Sequence, residues 1–209
     1  MKKNKMGVMV CMLSLAASPL QLWAAGQEFD FKDPKAVNSI SFVLDSPLEP
    51  IMGVASGITG KVSFDPASPT SMAGSFELAA SSLHIENADM KKATHGSDWL
   101  DVAKHPKITF KIKQVKDAKT VEPNVFDLTV VADLTCKDVT KEVTVPVRAS
   151  YLAGKLSERM RGAEGDLLVL RSEFKIKRAD YNIKPSMGGQ VVAEDIEIRV
   201  SIAGGAKKG

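Results

Sequence analysis

Cysteine is nearly absent from this chain: Cys11 and Cys136 are the only two among 209 residues. Cys11 sits in a segment that reads as a cleaved leader, so the mature protein keeps one thiol and cannot close an internal disulfide. Its core must therefore hold the fold even in an oxidising compartment. Long apolar runs are missing as well. The stretch from Met6 to about Ala17 falls short of the roughly 20 residues that a spanning helix needs. An excess of one charge is also lacking, because Lys2, Lys3 and Lys5 belong to the leader, and without them the 28 basic residues fall to the number of acidic ones, 25. With no basic excess or stripe, neither nucleic acid nor an anionic membrane is favoured as a partner. There is no internal repeat and no low-complexity linker, and the mature length fits one domain.

The start of the chain has the order of a secretory signal: a basic end, an apolar run, Pro19 and Gln21 interrupting it, then small residues Ala24, Ala25 and Gly26. Cleavage is expected after Ala24 or after Gly26. A lipid-anchored alternative would need small residues before Cys11, and Val8, Met9 and Val10 do not supply them. The expected division is a signal peptide over 1–26, a single domain over 27–203 and a flexible tail over 204–209.

From Val37 onward the pattern has period two, which puts alternate side chains on opposite faces of a strand. Ile40, Phe42 and Leu44 form the first such set; Ile58, Val62 and Phe64 the second; Phe76, Leu78 and Ala80 the third; Ile108, Phe110 and Ile112 the fourth. Phe126, Leu128, Val130, Ala132 and Leu134 follow, then Val143, Val145, Val147, Ala149 and Tyr151. The last two sets are Leu168, Leu170, Phe174 and Ile176, and Ile196, Ile198, Val200 and Ile202. Turn signals separate them at Asp65-Pro66 with Pro69, at Lys137-Asp138 and at Gly188-Gly189. Eight strands joined in this way predict an all-β, antiparallel up-and-down barrel, with a sandwich as the second choice. One helical interval is expected over Ala88 to Lys104, broken at Gly96, with Ser97 as a cap before Trp99 and Pro106 as its stop; it would plug a barrel end. Ile51 and Met52, flanked by Pro47, Pro50 and Gly53, read as an exposed loop that either folds over a barrel end or serves as a portal to its interior. An eight-stranded barrel is either filled by its own side chains or holds one small ligand, and periodicity does not separate the two cases.

Five segments, in order, carry a resemblance. They are GKVSFD (Gly60 to Asp65), WLDVAKHPKITF (Trp99 to Phe110), LTCKDVTKEVTVPV (Leu134 to Val147), RSEF (Arg171 to Phe174) and the closing strand from Val192 to Ile198. Together they resemble the YceI-like family of exported, lipocalin-like polyisoprenoid-binding proteins over Val37 to Ala203. The resemblance implies a barrel with a long apolar interior that takes an extended isoprenoid or other long-chain apolar lipid, a periplasmic location, and no metal or redox cofactor. Departures lie in turns and at a barrel end: Asp138 where the family has Gly, Cys136 and Lys137 where a His is common, Lys175 where Phe-Gly would continue, and Met90 to Gly96 in place of an Asp-x-His-Leu approach. They bear on the identity of the lipid more than on the fold. A homodimer is one open oligomeric state.

With inward parity as the guide, the candidate cavity wall is Phe42, Phe64, Phe76, Phe110, Phe126, Leu128, Val145, Tyr151, Phe174 and Ile198. Each is equally a core position, and the Tyr151 hydroxyl would need a partner, either a headgroup or a main-chain carbonyl. No catalytic residue is assigned, for want of a Gly-x-Ser-x-Gly elbow or of a base beside Cys136. His84, His95 and His105 make no metal site by spacing; His95 with Asp98 would supply two ligands only, and His105 reads as a helix-end cation or cap. At roughly 0.8 kcal/mol per buried CH₂, one isoprene unit contributes about 3 to 4 kcal/mol before ordering costs. A few units therefore suffice for micromolar binding without a charged contact. The classes that remain are a lipid-binding protein, a structural or interaction protein with a filled barrel, and an enzyme using the barrel as a chamber.

The leader reading predicts that the protein recovered from the periplasm begins between residues 25 and 27 and lacks Cys11. Intact-mass measurement checks it, and a mature species that retains Cys11 contradicts it.

Overall fold

The computed structural model describes residues 26–208; the expected leader up to Ala25, with the cleavage site after Ala24, lies outside the described residues. The chain forms one antiparallel sheet of 11 segments: β1 (Gln27–Asp30), β2 (Ser39–Leu44), β3 (Ile51–Ala55), β4 (Ile58–Phe64), β5 (Ala73–Ala79), β6 (Leu83–His84), β7 (Lys107–Glu122), β8 (Val125–Cys136), β9 (Val139–Leu152), β10 (Gly165–Lys177) and β11 (Asp195–Lys207). Three pairs of segments lie end to end. Along β11, β1 pairs at Gly205 and β2 at Ser201 to Glu197. The pairs β4 with β3 and β5 with β6 continue the same two-part pattern. Counting each pair once gives a closed 8-strand antiparallel barrel.

The expected strand sets lie in this ring, and three segments, β1, β3 and β6, are added to them. Ile51 and Met52 are corrected from a loop to strand β3. Ile51 faces inward at 6% exposure and Met52 outward at 64%. The prolines that suggested a loop stop just short of it, and Gly53 allows close approach to the Phe42 ring. The tail is corrected too, since β11 pairs with β10 as far as Gly165↔Lys207. Gly204 and Gly205 lack side chains where large ones press on them. A Cβ on Gly204 would stand 2.6 Å from the Phe31 ring, and one on Gly205 2.6 Å from Leu156 Cδ1.

Where β1 gives way to β2 the main chain leaves the sheet, and Asn38 replaces the lost pairing. Its Nδ2 donates to Phe31 O and Ala203 O, both at 3.1 Å, and its Oδ1 accepts from Ala203 N at 2.8 Å. Asp33 holds the loop by accepting from Val37 N and Asn38 N and from Arg159 Nη2. Burial works to raise the Asp33 pKa, but those main-chain donors and Arg159 outweigh it and lower it. The β8–β9 turn is a two-residue hairpin with positive φ at Lys137 and Asp138, the twist-matched form. Register shifts along β7 bend the longest strand around the barrel.

The helical interval is shorter than expected. Helix α1 runs Ala88–His95 and ends at Gly96; its cap is Asn87, which accepts from Met90 N at 2.9 Å. Residues 97–104 are turns, so Ser97 caps no helix. A second helix, α2, covers Leu156–Arg159.

Replacing Gly204 by Val is expected to cost about 1–3 kcal/mol through overpacking on Phe31, a melting shift of roughly 2–4 °C per kcal/mol. Gly188→Ala, where a Cβ meets nothing within 4 Å, serves as the control and should leave the thermal melt unchanged.

Candidate functional site

The interior has two halves. At one end Phe29, Phe31 and Phe64 are fully buried and Phe126 is 5% exposed. Phe64 meets Phe126 edge-on at 5.8 Å, Phe31 meets Phe76 at 5.1 Å, and Phe29 meets Tyr151 at 6.2 Å. Such edge-to-face rings close-pack and leave no room. At the other end, side chains with the same inward parity are only half-buried: Ile40, Phe76, Ile108, Phe110, Phe174, Ile176, Ile196, Ile198 and Val200. The change runs along single strands. In β11, Ile196, Ile198 and Val200 are half-buried and Ile202 and Ala206 are buried.

What these half-buried side chains face is a cavity of about 200 Å³, where a single water needs only ~10–15 Å³ on that scale. Met72, Val130, Val145, Leu170 and Ile202 form its floor, against the filled half. The walls come from β2 to β11, and Thr94, Trp99, Leu100 and Ile183 cover the far end. Along β11 alone the lining from Ile196 to Ile202 extends about 20 Å at ~3.3 Å per residue. Nearly every lining atom is apolar. Glu77 and Arg171 border the cavity, but their side chains are exposed, Glu77 in an outer pair with Lys107 at 2.7 Å.

Of the wall positions expected from parity, Phe42, Phe76, Phe110, Val145, Phe174 and Ile198 line the cavity. Phe64, Phe126, Leu128 and Tyr151 do not; they belong to the packed half. Parity assigns a face of the sheet, and only depth along the barrel separates the two groups. The Tyr151 hydroxyl donates to Asp166 Oδ2 at 2.9 Å, which leaves the headgroup role without support. Asp166 also accepts from Gly154 N at 2.7 Å and is held below its usual pKa, chiefly by that bond.

The covered end depends on a residue that sequence reasoning missed. Arg178 is 2% exposed and donates to five main-chain carbonyls: Ala193 at 2.7 Å, Ile183 at 2.9 Å, Lys184 at 2.6 Å, Met187 at 3.0 Å and Val192 at 3.1 Å. Its guanidinium also stands 6.0 Å from the centre of the Trp99 ring. Burial lowers its pKa, yet an arginine stays charged in proteins. The signal was available: Arg178 continues the inward parity of Phe174 and Ile176. Lys184 joins the loops further, through Nζ to Asp98 Oδ2 at 2.6 Å and through its N–H to Asp98 O at 2.9 Å.

The histidines lie beside structural neighbours, and the thiol lines the cavity. His95 Nε2 bonds Leu83 O at 2.8 Å, away from Asp98. His105 caps no helix; its Nδ1 lies 3.1 Å from Asp138 Oδ2 without the alignment of a hydrogen bond. His84 pairs loosely with Glu86 at 3.6 Å on the surface. Among the described residues no three His, Cys, Asp or Glu groups gather as a metal site. Cys136 lines the cavity at the end of β8, and burial pushes its thiol up to about 11.

Comparison with known proteins adds the following. The YceI-like domain family matches residues 32–203. Protein YceI of Escherichia coli O17:K52:H18 is 27% identical over 158 residues, covering 76% of this chain and 75% of that protein. Protein YceI of Salmonella arizonae has the same identity and coverage. Among solved structures, Burkholderia cenocepacia BcnA superimposes with a TM-score of 0.61 at 22% identity, over 80% of this chain and 96% of that one. A domain from Saccharophagus degradans described as polyisoprenoid binding gives a TM-score of 0.61 at 10% identity, over 86% of this chain and 98% of that one.

The thiol provides a check on the packing of this end. With its pKa moved from 9.0 to about 11, the thiolate fraction near neutrality falls roughly a hundredfold, so iodoacetamide should label Cys136 in the folded protein at least that much more slowly than in urea. Equal rates would mean that the cavity wall is not packed as described.

Proposed function

The chain belongs to the YceI-like domain family, and on that premise we propose that it is a periplasmic binding protein that holds an apolar isoprenoid-type lipid, a polyisoprenoid or a quinone-like molecule, inside the hollow half of its barrel. The observation that carries this reading is the set of inward side chains left half-buried around an apolar cavity while their strand-mates at the other end are fully packed. A protein gains nothing in stability by leaving Phe110, Phe174 and Ile198 uncovered, whereas an apolar chain laid against them removes their surface from water at about 25 cal/mol per Å². The Saccharophagus degradans domain, described as polyisoprenoid binding, supports the same ligand class.

Export rests on the basic, apolar and small-residue order of the first 26 residues. A binding role without catalysis suits the chemistry of the cavity. The thiol on its wall, Cys136, is pushed up to about 11 by burial, away from neutrality, whereas a general base or nucleophile is tuned toward it. A barrel filled throughout is disfavoured by the cavity itself.

Phe110→Gln or Phe174→Gln places an amide against the ligand chain without a partner and should cost a few kcal/mol of binding, about a hundredfold in Kd. Lys111→Gln, on the outer face of the same strand, should change it little. Titration with a fluorescent isoprenoid, after circular dichroism confirms folding, reads the difference. Unchanged affinity in both cavity variants would contradict the assignment.

A further inference from the structure

Resting on the lipid-binding reading, we infer that the apolar chain enters and leaves the cavity sideways, through a seam between β9 and β10 that Pro146 keeps unpaired. The ladder between these strands runs from Leu167↔Leu152 only to Arg171↔Arg148. Both strands continue past that point. β9 stays paired with β8 as far as Val139, and β10 with β11 as far as Lys177. For the length from Ser172 to Lys177, about 17 Å at ~3.3 Å per residue, each strand has a partner on one side only.

The cause is visible in the sequence of β9. Pro146 O accepts from Ser172 Oγ of β10, so the main-chain groups of Pro146 face β10. In an antiparallel ladder the donor and acceptor of one residue point the same way, and the donor that Pro146 lacks is one that β10 would have used. The ladder therefore stops one step before it. Ser172 supplies a single side-chain link where the next main-chain bond would have formed.

The seam opens onto the hollow half and not the packed one. Val145, Val147, Arg171, Ser172 and Phe174, on its two banks, all border the cavity. Lys141 has inner parity, opposite the buried Leu134, yet is exposed. Lys141 stands beside the seam near the β8–β9 turn, where a long side chain can reach water. At the far end of the seam the turn Ala179–Tyr181 packs against both strands and bounds the gap.

The other routes are bonded shut. Passage through the covered end would break the five Arg178 contacts and the Lys184–Asp98 pair. The second gap, between β6 and the chain leading into β7, is crossed by Ala80 N to Pro106 O and by His95 Nε2 to Leu83 O. Among the described residues, the β9–β10 seam is held by one exposed side-chain hydrogen bond, Ser172 Oγ to Pro146 O.

The test joins the two banks on the outer face. Extending the register from Arg171↔Arg148 sets Lys175 opposite Thr144, and both are exposed. In the double variant Thr144→Cys, Lys175→Cys, which keeps Pro146, a bifunctional maleimide bridges the seam. Binding of geranylgeraniol is then followed by stopped-flow tryptophan emission, since Trp99 lines the cavity. The bridged form should bind and release about tenfold or more slowly than the unbridged form, within the one to three decades over which association rates vary among variants of one site. Its Kd should stay the same, because a portal changes both rates by one factor. Unchanged rates in a form shown by mass to be bridged would overturn the portal and leave the lipid-binding reading standing. Failure of the parent protein to bind geranylgeraniol or any longer prenyl chain would overturn that reading and this one with it.

Discussion

The division of the barrel's interior follows from how the ring is closed. Closure falls to β1, a short strand that pairs with β4 over Gln27↔Phe64 to Asp30↔Lys61 and touches β11 at Gly205. That strand and the residue after it bring Phe29 and Phe31 to one end of the axis, where Phe64 and Phe126 already point inward. The glycines of β11 make room for them, Gly204 lying under the Phe31 ring. An eight-stranded barrel is just wide enough to be filled by its own side chains, and four phenylalanines do so at this end. At the other end Phe42, Phe76, Phe110 and Phe174 stand on the strands of the wall, and with Ile and Val they enclose space instead of meeting across it.

The hollow end needs a cover that does not collapse into it. A loop of 178–194 could do this with an apolar plug, but that would fill the cavity. Arg178 holds the loop from within by its carbonyls, each bond a charge-assisted one, and its body lies against Trp99. Removing one partner from such a network leaves buried polar groups unsatisfied, so the cover is rigid where it meets the cavity. The unpaired β9–β10 seam is the complement of that rigidity, since a closed wall with a fixed cover would admit nothing.

Much of this was legible from alternation alone, and the errors have physical causes. Period two places Phe110, Phe174 and Ile198 on the inner face, and the Lys137-Asp138 turn reads directly as a hairpin. It gives no depth, so Phe64, Phe126, Leu128 and Tyr151, of the same parity as the cavity wall, were indistinguishable from it. Strand β3 was hidden because Gly53 interrupts its alternation for the sake of the Phe42 ring, and the end of β11 because its small residues serve Phe31 and Leu156. Arg178 was hidden among the lysines of its own strand end, which are solvated. A charge at inward parity at the end of an apolar set is the signal that distinguishes it.

The central claim is that the hollow half holds an apolar chain in the cell. The most direct measurement is mass spectrometry of an organic extract of the protein purified from its native compartment without added lipid. The account predicts a co-purifying isoprenoid-type lipid at near-stoichiometric amount, lost in a folded Phe174→Gln variant. An extract free of such lipid, from a protein that also fails to take up prenyl chains when they are supplied, would contradict it.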